Sequence, residues 1–228
     1  MTFYHEIVIP NAISRTQLDQ ILALGWYRMH QSIFATSHIE MGGTHRVHWL
    51  RYSIPEIENH ASHRRIRRRN KKFRVTIEDF NLATQEHTQL HSRYYASIDF
   101  DGAVSINDCL FGKPVPSKNI YYTKCISVFE EGRLVAAGYF DLGSHSAASI
   151  LHFYDPPFKR YSLGKYLILL TIDFLKSEGY SWYYPGYVVE GLSKMDYKLF
   201  LGKTEAQYFD PETAQWKYFQ DGMLDAKK

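Results

Sequence analysis

The 228-residue sequence predicts an α+β protein with a mixed, mostly antiparallel sheet, preceded by a smaller N-terminal α/β subdomain. Two observations predict the sheet. Residues 120–155 read as three strands with turn residues at 131–132 and 143–145, which is typical of an antiparallel meander. An apolar helix pattern over 163–177 and a strand pattern over 181–189 follow. A strand–helix–strand unit in one sheet is parallel and right-handed, so the sheet should be mixed.

The other elements are predicted from caps, turn residues and apolar periodicity. Ser14 is typical of an N-cap, and Pro55 followed by early acids and late arginines favours a second helix. In chain order, the sequence predicts a helix over 14–24, short strands over 26–54, helices over 55–70 and 78–97, an irregular connection over 102–119, a short helix over 194–201 and a final hairpin over 206–219. These patterns divide the chain into an N-terminal subdomain (1–78), a linking helix and loop (79–119) and a C-terminal domain (120–228).

Composition excludes several classes of protein. With 45% hydrophobic residues the chain can bury a sizeable core, and no run of about 18 uncharged apolar residues indicates a membrane span. The N-terminal residues lack the basic start and apolar run of a signal peptide. Cys109 and Cys125 are the only cysteines, so we expect no disulfide framework and a reducing cytoplasm. The oligomeric state stays open.

A basic run lies over residues 60–74, which hold eight Lys or Arg residues and no acid. Such a run is either a solvated helix face or a surface that binds a polyanion. The net charge of the whole chain is only +3, so basic residues are concentrated in this segment. That concentration favours a polyanion-binding surface.

A basic turn precedes the apolar helix predicted over 163–177. Lys159, Arg160 and Lys165 supply positive charge, and Gly164 would let the backbone approach a ligand closely. A helix N-terminus leaves N–H groups unpaired and attracts anions, so a phosphate would fit here. The alternative is that Gly164 only permits close packing of the helix on the sheet.

Four short blocks resemble the C-terminal domain of the arginyl-tRNA–protein transferases. They are Phe-Tyr-Asp-Pro, Ser-Leu-Gly, Tyr-x-Gly-Tyr and Lys-Met-x-Tyr-Lys, at positions 153–156, 162–164, 184–187 and 194–198. Weaker similarity to the family's N-terminal domain extends over 22–34 and 60–73. The predicted order of elements also resembles the GNAT acyltransferase fold, although the turn lacks the second glycine of that fold's pyrophosphate loop.

The sequence departs from the family pattern in one respect. The family's N-terminal domain usually carries a cysteine cluster linked to a metal or iron–sulfur cluster, whereas this chain has no cysteine before Cys109. Histidines are present in that region, but their spacing matches no compact ligand set, so no metal site is predicted. They are His30, His38, His45 and His48.

The resemblance implies transfer of an aminoacyl group from a charged tRNA to the N-terminal α-amine of an acceptor protein. It leaves open whether arginine or leucine is transferred. It also implies an acceptor with an acidic N-terminal residue, marked in this way for N-degron proteolysis. No cofactor is expected beyond aminoacyl-tRNA as co-substrate, and no membrane takes part.

Roles for individual residues follow from the resemblance and the chemistry together. Asp155 would accept a proton from the amine or orient it, unless it only caps the Pro turn. Tyr187 and Tyr197 would donate a proton to the leaving oxygen, unless they only pack. Lys194 and Lys198 would bind tRNA phosphate or the acceptor's acidic side chain, unless they are solvated. The expected phosphate- and tRNA-binding residues are Arg160, Ser162, Gly164 and Lys165 in the turn and Arg64, Arg65 and Arg68 in the basic run.

Two other functions compete with this one. The first is a GNAT N-acyltransferase that uses acyl-coenzyme A, which the missing second glycine and the Lys-Met-x-Tyr-Lys block disfavour. The second is a non-catalytic tRNA-binding relative, which would bind tRNA without turnover.

Overall fold

The computed structural model describes residues 4–80, 82–99, 102–113, 118–220 and 222–224. The helices are α1 (Arg15–Ala23), α2 (Ala61–Asn70), α3 (Gln85–Tyr95), α4 (Ile106–Phe111) and α5 (Leu163–Ser177). The strands are β1 (His5–Val8), β2 (Tyr27–Met29), β3 (Ser32–Thr36), β4 (His38–Glu40), β5 (Thr44–Ser53), β6 (Arg74–Asp79), β7 (Thr123–Glu130), β8 (Arg133–Leu142), β9 (Ser146–Tyr154), β10 (Trp182–Val189), β11 (Ala206–Asp210) and β12 (Gln215–Tyr218). Short 3-10 segments are Ile54–Glu56, Pro156–Tyr161 and Ser193–Leu199.

Within the described residues, one large sheet of nine strands dominates the molecule. Its order is β12-β11-β5-β10-β9-β8-β7-β6, with β4 paired to β5. The pair β9–β10 is parallel, and the other described pairs are antiparallel. A separate small sheet of order β1-β3-β2 packs against β5, where Tyr27 and Phe34 contact Trp49. The predicted α+β class with a mixed, mostly antiparallel sheet is confirmed.

The large sheet crosses the predicted domain boundaries. Strand β5 belongs to the predicted N-terminal subdomain, yet it lies between β10 and β11 of the C-terminal domain. Strand β6 starts in the same subdomain and pairs with β7 at the sheet's edge. The sequence pattern contains no signal for these pairings, because they join strands that are far apart in the chain.

Most predicted elements are present with shifted ends. Helix α1 carries the predicted cap: the Ser14 side chain accepts from the Gln17 N–H, and Gln17 bonds back to the Ser14 N–H. The segment at Pro55 is a 3-10 turn, and α2 begins only at Ala61. The connection predicted to be irregular contains α4, whose N-cap Ser105 accepts from the Asp108 N–H. Residues 114–117 of that connection lie outside the described residues.

Helices α5 and α3 cover opposite faces of the sheet. Leu167 and Leu175 of α5 belong to the same buried core as Ala136 of β8. Leu90 of α3 belongs to a second buried core with Ala137, the next residue of β8. Consecutive residues of a strand point to opposite faces, so the two helices sandwich the middle of the sheet.

Strands β9 and β10 separate after a short contact. They pair only between residues 146–148 and 182–184. Beyond an irregularity after Tyr183, β10 continues along β5 to Val189, while β9 continues along β8 to Tyr154. A cleft opens between the diverging ends, and α5 begins beside it. This parallel pair, joined by α5, is a GNAT-like arrangement. The sequence predicted the strand–helix–strand unit, and the structure adds the splay between the two strands.

None of the helices in the described part of the chain has the length and hydrophobicity needed to cross a membrane.

Candidate functional site

Two adjoining cavities, of about 580 and 410 Å³, form the cleft between β9 and β10. Both are lined by Ala103, Ile150, His152, Tyr197 and Lys198. We call the larger one the turn lobe, because the start of α5 lines it. The smaller one is the aromatic lobe, whose lining includes Tyr27, Met29, Phe34, Trp49 and Tyr187.

The N-terminus of α5 opens toward the turn lobe without a conventional cap. Ser162 precedes the helix in the left-handed conformation (φ 54°, ψ 45°), and its side chain makes no cap hydrogen bond. The first backbone N–H groups of a helix have no intrahelical partner, and they carry partial positive charge. A Cβ added to Gly164 would lie 3.8 Å from Tyr154, so the glycine adds open space rather than relieving a clash.

Lysines surround the turn lobe. Its lining includes Lys159, Lys165, Lys194 and Lys198, and none of its described lining residues is an acid. A cleft lined by one sign of charge concentrates ions of the opposite sign. The charge of its lining therefore suits the turn lobe to an anionic ligand.

Helix α2 holds the turn in place from behind. Arg69 donates to the backbone carbonyl of Arg160 (2.7 Å), and the amide of buried Asn70 donates to the carbonyl of Tyr161 (3.0 Å). The ring of Phe73 lies edge-on to Tyr161, with centroids 5.2 Å apart. The predicted basic helix and the predicted basic turn thus form one unit.

The predicted tRNA-binding arginines differ in their surroundings. Arg65 and Arg68 are exposed on α2, and Arg64 bonds to the backbone carbonyl of Asn59. The Arg160 guanidinium stacks over Tyr161, 5.0 Å from the ring centroid, and does not line the turn lobe. Arg67, by contrast, is engaged in a two-pronged ion pair with Asp173.

Asp155 lies behind the cleft rather than in its lining. Its side chain is 1% exposed and forms ion pairs with Arg93 (3.3 Å) and Arg133. It precedes the Pro turn, but its carboxylate makes no cap hydrogen bond there. The structure therefore gives this carboxylate two fixed cationic partners.

The two predicted tyrosines both line the cleft. Tyr187 packs edge-on against Trp49 (4.9 Å between centroids), and burial raises the pKa of its hydroxyl. Tyr197 is 47% exposed and lines both lobes. Both side chains therefore border the space that a ligand in the cleft would occupy.

Lys198 lies where the two lobes meet. Its Nζ donates to the backbone carbonyl of Tyr187 (2.8 Å). Its stem runs beside Gly186, where an added Cβ would come within 3.6 Å of it. Burial lowers the pKa of Lys198 to about 8.

His152 is a cleft residue that the sequence did not reveal. It lines both lobes, and burial lowers the pKa of its imidazole to about 4. Its pairing partner on β8 is Gly138, where a Cβ would lie 2.7 Å from the imidazole. A glycine in mid-strand is the signal that could have pointed to close packing opposite it.

The N-terminal histidines make hydrogen bonds with neighbouring residues. His30 Nδ1 lies 2.7 Å from the Asp108 carbonyl oxygen, and His48 Nε2 lies 2.9 Å from a carboxylate oxygen of Glu190. Elsewhere, Glu58, His60 and Glu205 bring possible ligand atoms within 4.8 Å of one another in the described part of the chain. His60 already pairs with Glu205 there (2.7 Å). The predicted absence of a metal stays a prediction.

Comparison with known proteins adds to this geometry. The family model described as "Arginine-tRNA-protein transferase, C terminus" matches residues 86–208, more than half of the chain. An aspartate/glutamate leucyltransferase from Aeromonas salmonicida is 26% identical over 82% of this chain and 77% of its own length. One from Paracoccus denitrificans is 30% identical over 65% of this chain and 57% of its own length. Among solved structures, L-PGS from Bacillus licheniformis matches 77% of this chain and 51% of its own, at 11% identity and a TM-score of 0.44.

The splayed parallel pair beside the start of α5 is typical of the GNAT-like acyltransferase fold. The family match narrows that class to an aminoacyltransferase. The chain belongs to the arginine-tRNA-protein transferase family, as its four sequence blocks predicted.

Proposed function

We propose that this protein transfers leucine from leucyl-tRNA to the N-terminal α-amine of proteins that begin with Asp or Glu. The observation that carries the proposal is the turn lobe, a cavity with an uncapped helix N-terminus, four lysines and no acid among its described lining residues. Relatives named aspartate/glutamate leucyltransferase support leucine as donor and an acidic acceptor.

The phosphorylated acceptor end of the tRNA would occupy the turn lobe. The N–H groups at the start of α5, with Lys159 and Lys165, are suited to bind phosphate oxygens. Bases 5′ of this end would then run toward the exposed Arg65 and Arg68 of α2. The hydrogen bonds from Arg69 and Asn70 of α2 to the turn would hold the exposed arginines at a fixed position relative to the turn lobe.

The aromatic lobe is suited to an apolar donor side chain. Its lining includes Met29, Phe34 and Trp49, which offer apolar contact to a leucyl group. One acid, Asp108, is also among its described lining residues and could pair with a guanidinium. Arginine is therefore the second candidate donor, and Asp108 is the residue that favours it.

The reaction makes modest chemical demands, because the aminoacyl ester is already activated. The neutral amine attacks the ester carbonyl, a C–N bond forms, and the bond to the ribose oxygen breaks. The leaving oxygen gains a proton, for which Tyr197 and Tyr187 are the candidate donors in the cleft. Holding both substrates in line would supply much of the acceleration.

The acceptor would enter with its acidic side chain near Lys194, which lines the turn lobe. Asp155, with its two arginine partners, is better explained as an anchor between β9 and those arginines than as a proton acceptor. Addition of the amino acid would mark the acceptor for N-degron proteolysis, as the family resemblance implies.

One assay tests the proposal. Radiolabelled leucyl-tRNA and arginyl-tRNA are each incubated with the protein and peptides that begin with Asp, Glu or Ala. We expect label from leucyl-tRNA on the Asp and Glu peptides only. Transfer to none of the peptides, with tRNA binding retained, would identify a non-catalytic relative. In a separate thermal-shift measurement, stabilisation by acetyl-coenzyme A and not by charged tRNA would identify a coenzyme A enzyme.

Substitution of Gly164 tests the proposed phosphate site at the start of α5. A leucine there would project into the turn lobe, and we expect transfer to fall by about 100-fold or more while the melting temperature changes little. Gly164→Ala is the matched control, because a Cβ meets nothing closer than 3.8 Å. Full activity of Gly164→Leu would place the phosphate elsewhere.

A further inference from the structure

Lys198 differs from the other lining residues of the cleft in its position and in the way its amine is held. It lies at the junction of the two lobes, where the donor ester and the acceptor amine of the proposed reaction would meet. Its Nζ donates to the backbone carbonyl of Tyr187 (2.8 Å) and to the Met195 sulfur (3.7 Å), and it lies 4.8 Å from the Tyr187 ring centroid. Two N–H bonds of the amine are thereby oriented, and one position on nitrogen, the lone pair of the neutral form, stays available to a ligand.

No ion pair joins Lys198 to a carboxylate among the described residues. Burial of a charge without a partner is costly, and a buried lysine responds by losing its proton more readily. Other titratable and charged groups also line the cleft. On the side of the turn lobe they are His91, Tyr94 and Tyr95 on α3, Tyr154 on β9, Lys159 and Lys165 at the turn and α5, and Lys194. His152 and Tyr197 line both lobes, and Tyr27, Arg28, His30, Asp108, Cys109 and Tyr187 line the aromatic lobe. Most of the charged ones are cations, which adds to the cost of a proton on Lys198.

We propose that the Lys198 amine is the general base that takes a proton from the α-ammonium group of the acceptor. This inference rests on the proposed function and assigns a residue to its first step. A protonated amine has no lone pair for attack, so the step must precede bond formation.

The acidity of the two groups is matched. Burial lowers the pKa of Lys198 to about 8, and an α-amino group has a pKa of about 8, so the proton transfer is close to balanced. His152, with a pKa of about 4, is too weak a base for an ammonium group. Asp155 is engaged by Arg93 and Arg133 and does not line the cleft.

The step balances as follows. The α-ammonium gives one proton to neutral Lys198, and the resulting amine attacks the ester carbonyl carbon. As the C–O bond to the ribose breaks, the attacking nitrogen loses a second proton, which ends on the leaving oxygen. Lys198 then returns its proton to solvent before the next turnover.

The test compares variants under single-turnover conditions, with the full chain, saturating leucyl-tRNA and a peptide that begins with Asp. Lys198→Arg keeps the positive charge but cannot act as a base near neutral pH. We expect its transfer rate to fall by about 100-fold or more, with little change in the KM for the peptide. Lys217→Arg, in the terminal hairpin and outside the cleft lining, is the matched control.

A second acceptor separates a base from a charge that merely binds. An aminooxy group is already neutral at pH 7, so it needs no deprotonation before attack. With an aminooxy peptide as acceptor, Lys198→Arg should transfer at a rate within a few-fold of the unaltered protein. Lys198→Met should give the same result. It is the control for a loss of activity that comes only from the larger size of arginine.

The outcomes are distinct. If Lys198→Arg transfers to the Asp peptide at the normal rate, or if the aminooxy acceptor restores nothing, Lys198 is not the base. If the unaltered protein transfers nothing, the proposed function itself fails, whatever the variants do. Melting curves of each variant show that a lost rate is not lost folding.

Discussion

Burial lowers the proton affinity of basic side chains in the cleft, and His152 and Lys198 show two different results. His152, with a pKa of about 4, is uncharged throughout the physiological range. Lys198, with a pKa of about 8, is divided between its charged and neutral forms just above neutral pH. Only the second is able both to take up and to release a proton under working conditions.

The same burial should destabilise the folded protein, which gives a prediction. The pKa of Lys198 falls from its ordinary value of 10.5 to about 8 on folding, so the unfolded chain holds this proton more tightly. The destabilisation of the folded protein by charged Lys198 is complete below pH 8 and disappears as pH rises toward 10.5. Lys198→Met should therefore melt at a higher temperature at pH 7, by about 2–4 °C for each kcal/mol recovered.

Melting curves at pH 7 and pH 10 check this expectation. The gain at pH 7 should shrink at pH 10, where the lysine is mostly neutral in the folded protein. A variant that melts lower than the unaltered protein at both values would mean that the Lys198 hydrogen bond to Tyr187 outweighs the cost of burial.

At the scale of single residues, the sequence predicted which side chains belong near the site better than it predicted their hydrogen-bond and ion-pair partners. The motif at 194–198 selected Lys198, but only the fold shows that a backbone carbonyl, and no described carboxylate, holds its amine. Asp155 was selected in the same way, and its two arginines come from α3 and β8, which are distant in sequence. His152 carried no motif at all, since its importance depends on Gly138 across the strand pair.

At the scale of elements, the turn over Pro156–Tyr161 depends on α2 for its position. None of its residues is fully buried, although Phe158 and Tyr161 pack against the large core. Arg69 and Asn70 also hold two successive carbonyls of the turn. We therefore expect the shape of the proposed phosphate site to depend in part on these two hydrogen bonds from another helix.

Substitution of these two residues should loosen the site without removing any group that lines it. We expect Arg69→Ala to raise the KM for leucyl-tRNA several-fold and to leave kcat nearly unchanged. Loss of one such bond costs about 1 kcal/mol, or about fivefold. Asn70→Ala should have a larger effect, because Asn70 is fully buried.

Steady-state kinetics with varied leucyl-tRNA check this, with Arg69→Lys as the conservative control that can still donate to the carbonyl. An unchanged KM in both alanine variants would show that the turn holds its shape without α2.

Elements with strong periodicity or caps were predictable, and those defined by distant partners were not. The pattern of α5 is long and apolar, and the terminal hairpin has a clear turn, so both were found. Strand β6 was missed because it is a charged edge strand, Arg-Val-Thr-Ile-Glu-Asp, that pairs on one side only. Helix α4 has six residues, too few for a period to show.

At the scale of the whole molecule, positive charge extends from α2 to the turn lobe. Arg65 and Arg68 are exposed on α2. The hydrogen bond from Arg69 to the Arg160 carbonyl joins the same helix to the turn that leads into α5. A tRNA that places its acceptor end in the lobe could therefore lay its backbone along α2. Each phosphate contact adds to the salt dependence of binding.

Replacement of Arg65 and Arg68 by alanine should weaken tRNA binding and flatten its salt dependence. We expect the slope of log K against log salt to fall by about one for each arginine that contacts a phosphate. Binding titrations between about 50 and 200 mM salt measure the slope. Lys118→Ala, at an exposed position on another part of the chain, is the control for lost charge alone. A slope equal to that of the unaltered protein would remove this face of α2 from the interface.

The position of β5 also limits how the chain can be dissected. A fragment that starts at residue 120 would retain all four family blocks, yet it would lack the strand between β10 and β11. The facing edges of those two strands would then carry unpaired amides and carbonyls, a template for aggregation rather than a smaller enzyme. Minimal versions of this protein should therefore be sought by trimming loops, and the segment that contains the sequence signature should not be expected to fold as an independent module.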